Sequence, residues 1–171
     1  QTRVYNPFSV LNLFKKKDFD NYWFQTGTPT FLVKLLDKNL QYQFEGLKVD
    51  RTLLAGGYEL GNIEPITLLF QTGYLTMIER KGPTCILDFP NHEVRDALLR
   101  YLLAGYGHRS LGTPAPLLDD MVDSLANNDL EAFRDQLDSL FADIPGDIFL
   151  ARYEAYYHSL TFIVLKLLGS R

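Results

Sequence analysis

Cysteine is almost missing from this chain: Cys85 is the single one among 171 residues. One thiol excludes an internal disulfide framework and leaves no cysteine set for a structural zinc site. Histidine is nearly as scarce. His92, His108 and His158 are the three present, and their spacing matches no compact zinc motif. Cys85 falls in a predicted hairpin strand, where a buried, inert thiol is the ordinary outcome, so a nucleophilic Cys–His pair has little to rest on. Only 8 prolines stand against 46% hydrophobic residues, a balance that argues against disorder. No apolar run is long enough to span a bilayer and no signal-like leader opens the chain, so a cytoplasmic protein without membrane contact is expected. A phosphate loop is missing too. Thr26-Gly27-Thr28-Pro29 has neither the glycines nor the Lys-Ser/Thr ending that cradle phosphate and hold magnesium, so no cofactor is expected within this chain.

The formal net charge of -4 is unevenly distributed. Residues 1–107 carry 12 positive and 11 negative side chains, whereas residues 108–171 carry 5 and 10. The acidic last third would repel a phosphate backbone, which disfavours a free-standing nucleic-acid binder. Lys15, Lys16 and Lys17 form too short a basic run to reverse that, and read as the solvated end of a helix.

What is present is organised around Pro65 to Leu103. Pro65 suits the first turn of a short helix with Ile66, Leu69 and Phe70 as its apolar face, and Gly73 ends it. Tyr74 to Ile78 and Cys85 to Phe89 are extended runs joined by a turn containing Gly82-Pro83. Neither run alternates cleanly, which predicts packing on helices over much of their length. Asn91 caps a longer helix with Val94, Ala97, Leu98, Tyr101 and Leu102 on one face; Glu93 and Arg95 read as helix-end and salt-bridging residues. A lone hairpin is marginal in water, so helices must clamp it. The expected fold is mainly α with a small β-hairpin: a winged-helix-like α+β unit followed by a helical segment.

Upstream, Asn6-Pro7 starts a helix carrying Val10, Leu11, Leu13 and Phe14, and Thr28-Pro29 starts another carrying Phe31, Leu32, Leu35 and Leu36. Between them Phe19, Tyr22, Trp23 and Phe24 are expected to pin the connector into the core. Gln41 to Gly46 allows a short strand, and Leu47 to Arg51 an extension or a turn. Downstream, the glycines and prolines of 104–116 mark a hinge. Three helices follow: one from Pro116 to Ala126, one opened by a capping box in which Glu131 reaches back to Asn128, and one over Leu150 to Leu168. The last is apolar around so much of its girth that it needs partners on more than one side, either the neighbouring helices or chain beyond Arg171.

YNPFSVLNLF at 5–14, NYWFQTGTPTFLVKLL at 21–36, LLFQTGYLTM at 68–77, LDFPNHEVRDALL at 87–99, SLFADIP at 139–145 and YEAYYHSLTFIVLKLLG at 153–169 together resemble a large bacterial family. Its members look like AAA-type ATPases fused to a restriction-endonuclease-like (PD-(D/E)XK) nuclease domain. The resemblance implies that this chain is the middle of such a protein: a helical lid-like segment over 1–44, a winged-helix-like unit over 45–107, and the helical start of the nuclease-like domain over 108–171. It implies an upstream ATPase core using ATP and magnesium, and a downstream nuclease-like domain, as partners. It also makes Glu154 a candidate for the acidic residue that some such nucleases contribute from their first core helix. Read from spacing alone, Glu154 and His158 lie four apart on one helix face and form a local pair.

The leading expectation is therefore a non-catalytic connector between an ATPase core and a nuclease-like domain. Two alternatives stay open: a winged-helix DNA-binding module contacting its target through Arg80, Lys81, Arg95, Arg100 and Arg109, and metal-dependent nuclease activity in the intact protein. Self-association is a further partnership compatible with the apolar last helix.

Overall fold

The computed structural model describes residues 7–18, 22, 32, 34–36, 43–55, 64–106, 114–142 and 150–169, without the side chains of residues 8 and 150–153. Helix α1 (Pro7–Lys16) opens the described chain, with Lys15 and Lys16 in its last turn beside the negative helix end. Tyr22 is buried in the following connector, its hydroxyl donating to the Asp18 carbonyl at 2.6 Å. The remaining connector aromatics, and the Thr28-Pro29 start, lie outside the described residues. Leu32 and Lys34 to Leu36 are helical, with Leu32 and Leu36 fully buried.

Strand β1 (Leu47–Asp50) follows, then a single helical turn, α2 (Arg51–Leu54), helix α3 (Pro65–Gln71), and the strands β2 (Thr76–Lys81) and β3 (Thr84–Asp88). All pairing is antiparallel in the order β1-β3-β2, with Val49 and Arg80 flanking Cys85. A helix, a strand, two helices and a hairpin whose second strand lies between the other two make a winged-helix-like α+β unit. The sheet has three strands, not the expected two. Four residues of β1 gave too short an alternation to separate strand from turn, and it is pairing with β3 that extends them. Asp50 ends the strand and caps α2, accepting from the Thr52 amide at 2.8 Å.

The expected hairpin boundaries shift inward. Tyr74 and Leu75 are buried but belong to the turn after α3, both amides donating to the Leu69 carbonyl at 2.9 and 3.0 Å. The connection is only Gly82-Pro83, with Gly82 at φ 62°, a left-handed conformation that glycine adopts without penalty. β3 does alternate, burying Cys85 and Leu87 on one face, whereas β2 is an edge strand with its last four residues exposed. A bulge between Met77 and Glu79 disrupts the pattern in β2 and turns Ile78 outward.

Helix α4 (His92–Tyr106) is the centre of the molecule. The Asn91 side chain caps it, accepting from the Val94 amide at 2.9 Å. Val94, Ala97, Leu98, Leu99, Leu102, Leu103 and Tyr106 are buried around most of its circumference. At about 1.5–3 kcal/mol for each large apolar side chain, this helix contributes more to the core than any turn or cap.

Helix α5 (Pro114–Ala126) begins two residues earlier than expected, since Pro114 rather than Pro116 takes the first-turn position. Its end overturns the predicted capping box. Asn128 sits at φ 54° and closes α5, with the Asp129 amide donating to the Ser124 carbonyl at 2.8 Å. Asp129 is the actual cap of α6 (Leu130–Ala142), accepting from the Ala132 amide at 3.0 Å. Asparagine tolerates the left-handed region, which fits it to a helix stop better than to the next start. Ser124 and Gln136 bond across the α5–α6 hairpin.

Helix α7 (Leu150–Leu168) packs on α4 and α5, burying Tyr156, Leu160, Ile163, Val164 and Leu167. Tyr156 meets Tyr106 edge-on at 6.4 Å, and Tyr157 meets Phe141 at 4.7 Å. The partner of the last helix is thus largely α4, inside the winged-helix-like unit. One cluster of buried side chains runs from Leu32 to Leu167. Among the described residues no helix is long and apolar enough to cross a membrane.

Candidate functional site: an ion-pair cluster joining the winged-helix unit to the last helix

Glu45 stands in the turn that leads into β1 and is followed by Gly46 at φ 64°. One carboxylate oxygen accepts from Lys166 Nζ on α7; the other lies 4.0 Å from Arg95 Nη1 on α4. Arg95 is held in turn by Asp96, whose Oδ1 is 3.1 Å from both Nη2 and Nε. Three segments remote in sequence therefore meet at one carboxylate. The side chain of Arg95 is 17% exposed, while those of Glu45 and Lys166 are each 36% exposed. Partial burial reduces screening without imposing the full cost of desolvating an ion pair.

The cluster rests on an aromatic floor. Phe44 meets Phe89 edge-on at 5.9 Å, and the Lys166 ammonium lies 5.6 Å from the Phe162 ring centre. Phe44, Phe89, Leu99 and Phe162 line a cleft of about 120 Å³ with Glu45 and Lys166 at its rim. A second cleft of about 370 Å³ adjoins it across Glu45 and Phe89, bounded by Ile78, Asn91, His92 and Arg95. The bulge in β2 is what aims Ile78 at this second cleft. The arrangement sets fixed charges beside two small recesses.

The residues expected from sequence to form a DNA-contacting surface are dispersed. Arg80 and Lys81 are successive residues of β2 and so point to opposite faces. Arg80 Nε donates to the Gly82 carbonyl at 3.1 Å, and Lys81 pairs with Glu79 at 3.0 Å. Arg95 is committed to the cluster above. Arg100 is half-buried on another side of α4, its Nε enclosed with no hydrogen-bond partner. Arg109 lies outside the described residues. Helix α3 has no cation; Thr67 Oγ1 donates to the Leu53 carbonyl at 2.8 Å and Gln71 Nε2 to that of Leu54 at 3.4 Å. Its polar groups are tied to α2.

Glu154 and His158 are both exposed on α7. Among the described residues no group of three or more His, Cys, Asp or Glu side chains is gathered as a metal site. The Glu45–Lys166 pair was invisible to sequence reading because 121 residues separate its members. The only local signal was the adjacent Arg95-Asp96 pair.

No family model matches the chain and no solved structure resembles it closely. It is 38% identical over 179 aligned positions, covering 97% of its own length, to a protein of Azotobacter chroococcum mcd 1 described as "Uncharacterized protein in vnfD 5'region". The chain spans about a third of that relative, 34% of its length.

Proposed function

We propose that this chain is a non-catalytic coupling segment, in which the winged-helix-like unit and the last helix act as one rigid connector. In a longer protein resembling AAA-type ATPases joined to PD-(D/E)XK nuclease-like domains, it would pass nucleotide-dependent movement from the ATPase core to the nuclease-like domain. ATP and magnesium belong, in this reading, to the upstream core, and Glu154 to the nuclease-like part. The observation that carries the proposal is the joint at Glu45. A displacement of the turn before β1 is delivered through Lys166 directly to α7, and through Arg95 to α4 on which α7 is packed. The inward commitment of the α3 polar groups supports a connector over a DNA reader.

The test uses the longer protein carrying Glu45→Gln together with Lys166→Met. Basal ATP hydrolysis should persist, while the dependence of the nuclease-like output on nucleotide weakens. Full retention of that dependence, in a protein whose α7 amides exchange faster, would refute coupling through this joint. Duplex binding by the 171-residue chain that falls steeply with salt would instead favour the DNA-binding alternative.

A further inference from the structure

We infer that the chain associates head to tail with a second copy of itself, the basic and apolar outer face of α1 docking on the acidic and apolar tip of the α5–α6 hairpin. This goes beyond the coupling role and uses different surfaces, so either idea can fail without the other.

The first surface is the outer face of α1. A helix of ten residues is marginal in water unless an amphipathic face is covered. Val10 and Leu13 are half-buried, yet no described side chain of α1 joins the buried cluster. On its outer face Leu11 and Phe14, three apart and so neighbours, are 68% and 74% exposed. Lysines 15, 16 and 17 follow at once, and residues 7–17 contain no acid. Lys15 and Lys17 have no ion-pair partner among the described residues.

The second surface has the opposite character. Residues 114–142 hold seven carboxylates against one cation, Arg134, which already lies 3.1 Å from Asp135. At the hairpin tip Leu125 and Leu130 are 43% and 62% exposed, beside exposed Asp123 and Glu131. Four of the seven large hydrophobic side chains exposed among the described residues thus sit on these two surfaces. Each is flanked by one sign of charge, and the signs are opposite. Both surfaces stay open within a single copy, so they do not satisfy each other inside one chain. A different patch on each partner makes the contact heterologous, which yields rings or open chains rather than a closed two-fold dimer.

Sedimentation velocity of the chain, in a concentration series reaching the high micromolar range at low salt, should show reversible association that 1 M salt weakens, because the Debye length falls to about 3 Å there. Leu11→Ser with Phe14→Ser, or Asp123→Lys with Glu131→Lys, should each raise the dissociation constant at least about tenfold at unchanged thermal unfolding, these side chains being exposed. Mixing the two variants leaves one good surface on each and should restore 1:1 complexes that grow no further. A monomer throughout the series would overturn the inference. So would association insensitive to both double substitutions, or a mixture that forms no 1:1 complex.

Discussion

Replacing Glu45 by glutamine removes one charge and keeps the shape of the side chain, leaving Lys166 and Arg95 facing a neutral amide. The two losses are unequal. Arg95 keeps Asp96 at 3.1 Å and gives up only a 4.0 Å contact, whereas Lys166 loses its sole carboxylate among the described residues. Exposed pairs contribute roughly 0.2–1 kcal/mol, while breaking buried ones costs about 3–5 kcal/mol. With both Glu45 and Lys166 at 36% exposure, the pair belongs near the lower end, and about 1 kcal/mol is expected for Glu45→Gln. For a chain of this size that lowers the unfolding midpoint by roughly 2–4 °C. Urea unfolding of Glu45→Gln, Lys166→Met and the double variant gives the coupling energy, expected at about 0.5–1 kcal/mol and reduced in 1 M salt. The corresponding cycle with Arg95→Met should give less. A Glu45–Lys166 coupling of zero, or one smaller than the Glu45–Arg95 value, would refute the view that this carboxylate ties α7 to the winged-helix-like unit.

Three further outcomes follow from the packing and the turns. Leu160→Ala opens a cavity beneath α7 and should cost about 2–4 kcal/mol; because the core is continuous, the Cys85 thiol in β3 should become reactive in parallel, and a destabilised α7 with an unchanged Cys85 labelling rate would argue against one cooperative body. Gly82→Ala places a side chain at φ 62° with open space around it, so backbone strain alone should destabilise the chain by about 1 kcal/mol, and Gly82→Asn by less in the same denaturation assay. Asp50 has its carboxyl held below its ordinary 3.8 by the Thr52 hydroxyl first and the Thr52 amide second. A lowered folded value means that its contribution is present above the ordinary value and disappears as pH falls through the lowered one. Asp50→Asn should therefore remove stability at neutral pH and flatten the acid limb; an unchanged acid limb in Asp50→Asn would count against the cap.

The legible parts of the sequence were those whose signals are local. Pro65 at a helix start, Asn91 as cap, the Gly82-Pro83 turn and the apolar spacing of α4 all act within a few residues, and the structure places each of them as expected. The misreadings also have local causes. Asn128 and Asp129 are both good capping residues, and only the handedness of the backbone at Asn128 separates the helix stop from the next start. The third strand was obscure because four residues carry almost no periodic signal until another strand pairs with them.

A mainly helical chain with a small hairpin is already written in local signals, because helix periodicity and turn chemistry act over short spans. It takes the folded arrangement to show that β1 completes the sheet, that the last helix is buried on α4, and that Glu45 meets Lys166 and Arg95. Those contacts join residues up to 121 positions apart, and no spacing rule reaches that far. They depend on how whole elements pack, which is settled by the shape of the shared core and not by any one of the segments that enter it.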